Sequence, residues 1–456
     1  MSVKGARIVH DRFGLGTVTS TVDVRTTRVQ FDAFPNMPRT VPTNELVAVE
    51  SEVPTDDRPE VSAAVEAGAS LQAIEALRMG GVPTMALAEL TVGRAKQVDA
   101  IRETLASGSR LRVFWGDYGA GKTHLLDLAE IEAQGLGYAT ARVVLSPRET
   151  SPCHPHQIYR AIVASIRLPG AHVPGIEGLL HRLMDSADHI DFRRSSPAFS
   201  RFLSPALFAY RSGDRDLTNT ALDYVAAEDV DTMSLYARLH RAGYRGPSLL
   251  MLSDYRTYGR MYAHIEGTIA TWCRDAGFRG LALLFDEVEF IDELVGADQR
   301  FAEEGLKHFA AVCLDRRQFT FDPEDLYKGG QTVHQSLPMR FADDQPLVTF
   351  FALTPLEGIV RAVDGMFADR SLSIEVPRFD ESNREVLIQR VVALYGRAYP
   401  ALGLTPDKVG RIAREVGAAI RKGGNDGSMR RILKRIIFTL DRIRYPEWGA
   451  KEASGR

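Results

Sequence analysis

The chain has 456 residues, of which 45% are apolar and 25% charged, with a formal net charge of −3. That length suits two or three domains of roughly 150 residues each, and the composition is that of an ordinary soluble globular protein. The charge balance supplies no global attraction to nucleic acid, although it leaves room for a local basic patch.

Cys153, Cys273 and Cys313 are the only cysteines and lie far apart in the chain. A disulfide scaffold is therefore not expected, and a reducing cytoplasm fits. The opening "MSVKGARIVHDRFG" lacks the apolar core of a signal peptide. The longest apolar runs, "LALLF" and "LVTFFAL", fall well short of the ~20 residues that a membrane span needs. A cytoplasmic protein without membrane contact is expected.

In chain order, residues 1–50 read as short strands, "ARIVH", "GTVTSTVDV", "TTRVQFD" and "RTVPTNELVAV". They alternate and are rich in Val and Thr, with Gly14, Gly16 and "FPNMP" as breaks. A segment this small suits a compact five-stranded barrel. Residues 51–67, opening with the acidic, proline-bearing "SEVPTDDRPE", read as a linker. The chain turns helical from about residue 61. Apolar strands then alternate with helices, the pattern of an α/β parallel sheet, at Leu111–Trp115, Ala139–Leu145, Leu281–Phe285, Leu347–Leu353 and Leu372–Val376. A helical insertion is expected over about 150–270. Residues 378–456 read as a helical domain following an α/β domain over 68–377.

The first of these strands runs into "GDYGAGKT". Gly116, Gly121, Lys122 and Thr123 match G-x-x-x-x-G-K-[ST] in full, with Gly119 inside the loop and a helix directly after it. Glycines let backbone N–H groups turn around an anion, and the following helix N-terminus favours negative charge. Lys122 suits the β- and γ-phosphates, and Thr123 offers a hydroxyl to Mg²⁺. Gly116, Gly119, Ala120, Gly121, Lys122, Thr123 and His124 are thus candidate nucleotide contacts. Further on, "GLALLFDEVEFID" sets Asp286 and Glu287 at the C-terminal end of a strand, where ligands of open α/β sheets gather. Asp286 suits the metal, and Glu287 suits the base that orients and deprotonates a water. The alternative is that Glu287 begins a solvated acidic helix with Glu289 and Asp292.

Together these motifs resemble a P-loop ATPase of the AAA+ class. The resemblance implies an α/β fold with a parallel sheet, a helical lid and a helical insertion, with ATP and Mg²⁺ as ligands. In "LTVGRAKQVDAIRETL", Val92, Gly93 and Arg94 are similar to the segment beside the adenine in initiator-type members. "LVTFFALTP" is similar to the sensor-1 strand, with Thr354 as its polar tip where the family often has Asn. "GSMRRIL" resembles the sensor-2 signature, which makes Arg430 a lid arginine toward the phosphates and Arg431 its rival. Arg370, before the last strand, takes the place of an arginine acting on a neighbouring subunit's site. Arg300, Arg316 and Arg317 are alternatives to it.

"AIEALRMGGVP", "FWGDYGAGKTHLL" and "ALLFDEVEFID" look closer still to the ATP-binding proteins of bacterial BREX-type phage-defence islands. That resemblance, over roughly 68–445, implies work with other island proteins on DNA. The stretch "GARIVHDRFGLGTVTSTV" is similar to the pattern at the tail of repair helicases and in Tudor-like barrels, through Gly5, Val9, His10, Phe13, Gly14, Gly16 and Val18. It implies a small SH3/Tudor-like β-barrel that recruits a partner, with Arg25 and Arg28 as possible phosphate contacts.

Cys153, His154 and His156 have no second cluster to complete a metal site. The basic C-terminal run around Arg421, Lys422, Arg430, Arg431, Lys434, Arg435, Arg442 and Arg444 fits either DNA or a solvated lid face. The reading is a Mg²⁺-dependent ATPase working in an oligomer on a protein–DNA complex. Its alternatives are a nucleotide switch with slow hydrolysis, and a DNA-binding scaffold that uses nucleotide structurally.

Overall fold

The computed structural model describes residues 7–10, 14–21, 26–31, 39–42, 46–48, 59–81, 83–107, 110–171, 173–186, 200–330, 335–422 and 429–445. The chain divides into two compact units, 1–69 and 70–456.

The first unit holds five antiparallel strands: β1 (Arg7–His10), β2 (Gly14–Thr21), β3 (Thr26–Phe31), β4 (Arg39–Pro42) and β5 (Leu46–Ala48). Their order is β4-β3-β2-β1-β5. Val18 and Val29 pair across β2 and β3 and are both buried. The run "RTVPTNELVAV" is two strands rather than one. Its halves pair with β3 and with β1, at opposite ends of the sheet order, which a single strand cannot do. Gly5, Phe13, Arg25 and residues 51–58 of the expected linker lie outside the described residues, and 59–67 of that linker are helical rather than extended.

Helix α1 (Pro59–Met79) leads into the second unit. There α2 (Leu87–Leu90) and α3 (Ala95–Ser107) precede β6 (Leu111–Trp115), α4 (Lys122–Gly135) and β7 (Ala139–Val144). Among the described residues six helices follow before β8 (Leu281–Asp286): α5 (Pro155–Ser165), α6 (Gly175–Ser186), α7 (Leu203–Ser212), α8 (Arg215–Val225), α9 (Thr232–Arg241) and α10 (Gly259–Asp275). Two of their starts are capped by aspartates. Asp214 accepts the Leu217 N–H at 3.0 Å, and Asp231 accepts the N–H groups of Met233 and Ser234. Then come α11 (Ala297–Ala311), β9 (Leu347–Leu353), α12 (Glu357–Asp364) and β10 (Ser373–Glu375). The chain closes with α13 (Glu381–Ala398), α14 (Pro406–Lys422) and α15 (Met429–Arg444).

The five strands form one parallel sheet in the order β10-β6-β9-β8-β7. Parallel sheets survive only when covered on both faces, and the central strands are buried accordingly. Val113, Leu283 and Phe351 point into a core built with the inserted helices, while Phe114, Leu284 and Phe350 point into one built with α3 and α4. A third core joins Ile74, Leu77, Leu90 and Val92 to Val391, Tyr395, Ile436 and Ile437. The segment before the sheet therefore packs against the three C-terminal helices. Arg78 seals this contact by donating to Asp441 at 2.8 and 3.1 Å.

Candidate functional site

β6 ends at Trp115, and the chain turns through Gly116–Gly121 into α4. Gly119 and Gly121 adopt φ of +79° and +97°, a left-handed region that glycine reaches without Cβ strain. The first-turn N–H groups of a helix have no intrahelical acceptor, so the start of α4 is a natural anion seat. Lys122, its first residue, is buried. Its Nζ donates to Gly116 O at 2.9 Å, Asp117 O at 3.4 Å and Thr354 Oγ1 at 2.9 Å.

Sheet order explains how Thr354 arrives there. β9 lies between β6 and β8, so the residue just past its end falls between the P-loop lysine and the acidic segment. The Thr354 hydroxyl donates in turn to Glu289 Oε1.

Thr123 donates its hydroxyl to Asp286 Oδ2 at 3.0 Å. Arg142, on β7, donates to the same oxygen at 2.9 Å and also pairs with Asp127. Asp286 Oδ1 accepts the Glu287 N–H at 3.1 Å. Both oxygens of this buried carboxylate are therefore held in place. Glu287 sits at φ +59°, a sparsely populated conformation for a residue with a Cβ, of the kind that clusters at functional sites. Burial first, then the neighbouring Glu289 and Asp286 charges, raise its carboxyl above the usual range, partly offset by Lys122.

A cavity of 240 Å³ opens over these groups. Gly119–His124 and Glu287 form its polar side. Leu77, Pro83, Leu90, Val92, Leu387, Met429 and Leu433 contribute an apolar side. Polar convergence at one end and apolar walls at the other are the general features of a small-molecule site. Arg94 also lines the cavity, buried, with its guanidinium over the Phe379 ring and Nη2 donating to Ala120 O at 2.6 Å. It thus braces the P-loop from behind. Gly93 is exposed, in the turn before α3.

His124 Nε2 lies 2.8 Å from Thr91 Oγ1, whose own proton goes to Leu87 O. The ring is therefore the donor, in its Nε2–H tautomer. Burial, and secondarily Arg94, push its pKa down to about 4, so it is neutral.

The expected residues separate into three groups. Val92, Arg94, Gly119, Ala120, Gly121, Lys122, Thr123, His124 and Glu287 surround one cavity, with Gly116, Asp286 and Thr354 bonded directly to that set. Arg370 is exposed on the turn Arg370–Leu372, away from the cavity lining. Arg430 is the second residue of α15, whose Met429 and Leu433 reach the cavity, but its side chain lies outside the described residues.

Glu289 is not solvated. It lies in the 3₁₀ turn Val288–Glu293 and is buried. Neither it nor Arg142 stands out in the sequence, since no motif spacing carries them. Cys153, His154 and His156 have ordinary structural partners in Ser151, Asp254 and the Ala227 carbonyl. Among the described residues no group of three or more His, Cys, Asp or Glu could hold a metal, and no helix is long and apolar enough to cross a membrane.

A strand–loop–helix phosphate grip on a five-stranded parallel sheet, with an aspartate at the end of a nearby strand, is consistent with a P-loop nucleotide-binding fold. Residues 65–189 match the family model described as BREX system ATP-binding protein BrxC/D. This span covers the P-loop and its flanking helices, just over a quarter of the chain. Among curated proteins none matches.

Proposed function

We propose that the chain is a Mg²⁺-dependent ATPase of AAA+ type. The observation that carries this reading is that Lys122, Thr123 and Glu287 line one cavity, with Asp286 bonded to Thr123 behind them and an apolar wall suited to a base. Lys122 and the α4 N-terminus hold the phosphates, and Arg94 keeps the loop in shape. Thr123 and Asp286 are adjacent hard oxygen donors, the set that Mg²⁺ takes alongside substrate phosphates, and the metal would supply charge neutralisation at those phosphates. Glu287, with its raised carboxyl pKa, orients the attacking water and takes its proton.

The match of residues 65–189 supports a place in BREX-type phage defence. There the hydrolysis would be coupled to assembly or remodelling of a protein–DNA complex within an oligomer. Arg370, exposed, suits action on a neighbouring subunit, and Arg430 suits action from the lid. Exposed Arg431, Lys434, Phe438 and Arg442 on α15 form a surface compatible with DNA. The N-terminal strands suit a Tudor-like recruitment barrel.

The test is steady-state ATP turnover, with and without duplex DNA. Glu287→Gln is expected to keep ATP binding and lose turnover by about 100-fold or more. Unchanged turnover in that variant overturns the assignment, and absent turnover in the natural chain favours the switch.

A further inference from the structure

Beyond helping to raise the Glu287 carboxyl, Glu289 has no task in the reaction just described, yet it faces the lysine of the phosphate grip. It is buried at 8% exposure, its Oε1 accepts the Thr354 hydroxyl, and its Oε2 has no hydrogen-bond partner. Oε1 lies 3.9 Å from Lys122 Nζ. A buried carboxylate oxygen left without a donor is unfavourable, and such a group calls for an explanation.

Donor arithmetic supplies one. An ammonium has three N–H donors and a hydroxyl has one. The three acceptors around Lys122 are Gly116 O, Asp117 O and Thr354 Oγ1. Thr354 spends its proton on Glu289. In this arrangement Thr354 acts only as an acceptor toward Lys122, with no proton for a phosphate oxygen or a water. The lysine charge, meanwhile, is faced by the Glu289 carboxylate.

We propose that Glu289 is a positioning residue that acts through Thr354 and Lys122 as a brake on nucleoside triphosphate binding. Its negative charge occupies the ground that the terminal phosphate must take. Arrival of that phosphate displaces the carboxylate and frees the Thr354 proton. A diphosphate, lacking the terminal group, leaves the Glu289–Thr354 bond in place. This inference rests on the ATP-site reading above and adds a cause for discrimination between triphosphate and diphosphate.

The test is equilibrium titration of the full chain with ADP and with an ATP analogue whose β,γ-bridge cannot be hydrolysed. Glu289→Gln keeps shape and acceptor but removes the charge. It is expected to tighten the analogue by about five- to tenfold, a typical coupling between two groups at one site, and to change ADP less than about twofold. Thr354→Val strands both Glu289 oxygens beside the lysine and is expected to weaken the analogue. In the double variant the charge-dependent part of this loss is expected to disappear, leaving only that of the missing hydroxyl. Glu289→Asp draws the same charge back by one methylene; it gives a smaller shift of the same sign and serves if the Gln variant does not fold.

An unchanged or weaker analogue affinity in Glu289→Gln overturns the proposal, as does equal tightening of ADP. A Thr354→Val loss that is undiminished in the double variant overturns it too, because the Glu289 charge then adds nothing to it. A natural chain that binds neither nucleotide overturns the ATP-site reading itself. A natural chain that binds both, with variants unchanged, overturns only the brake.

Discussion

Arg142 donates to Asp286 Oδ2 at 2.9 Å from the adjacent parallel strand. Thr123 reaches the same oxygen at 3.0 Å, so one carboxylate joins the phosphate loop to the far edge of the sheet. Arg142 also pairs with Asp127 on α4, and burial raises the Asp127 pKa more than this pairing lowers it. The arginine is the common counter-charge of two shielded carboxylates.

Removing it leaves both without this counter-charge. Arg142→Met is expected to destabilise the chain by about 3 kcal/mol, the usual scale when one member of a shielded ion pair is lost. Chemical denaturation reads this out. A loss below about 1 kcal/mol would mean that the carboxylates find other partners.

Thr123→Val keeps the shape of the side chain and removes its oxygen. Nucleotide affinity is expected to lose most of its Mg²⁺-dependent increment while keeping the Mg²⁺-independent part, which comes from Lys122 and backbone N–H groups. Parallel titrations with Mg²⁺ and with a chelator separate the two. An unchanged Mg²⁺ increment would remove Thr123 from the metal site.

Asp441 accepts from Arg78 and, at 2.7 Å, from the Tyr395 hydroxyl. Asp441→Asn is expected to lower stability by about 1.5–3 kcal/mol, the range for hydrogen bonds involving a charged group. Since this contact ties the end of α1 to α13 and α15, limited proteolysis should also show earlier cleavage near residues 80–83. Unaltered cleavage would show that the shared apolar core suffices.

His264 and His308 are buried beside Arg260, with pKa values pushed down by burial to about 4 and about 3. Both are neutral in the folded chain at pH 6, whereas the unfolded chain begins to bind protons there near its ordinary value of about 6.5. Stability is therefore full above that value and falls as pH drops toward the folded values, by about 2 kcal/mol per histidine between pH 7 and 5. The His264 Nδ1–H donates to Pro338 O, a bond that Asn can reproduce. His264→Asn should thus remove about half of this slope in unfolding curves measured across that range. An unaltered slope would place the titration elsewhere.

Legibility followed how local each feature is. All five parallel strands could be read from apolar runs, because strands buried on both faces are apolar almost throughout. β8 runs one residue further than expected, to Asp286, and β10 is shorter than expected, at Ser373–Glu375. The phosphate grip was legible because it is built from consecutive residues, and its backbone turn demands glycine at fixed positions. Arg94 was legible as a site residue, but its contact with the Ala120 carbonyl was not. The second half of "RTVPTNELVAV" was misjudged, because alternation cannot say which partner strand a segment will choose.

The sequence by itself determined that a phosphate-binding loop follows a strand, that two carboxylates end another strand, and that helices close the chain. Each of these follows from residue types within a few positions of one another. Only the tertiary structure decided that β9 would lie between those two strands, and with it the chain Lys122–Thr354–Glu289. Likewise, only strand pairing brought Arg142 to Asp286. The physical reason is the same in both cases. Whether a buried charge is a liability or a working part depends on what burial sets beside it, and those neighbours come from 65 to 232 residues away in the chain.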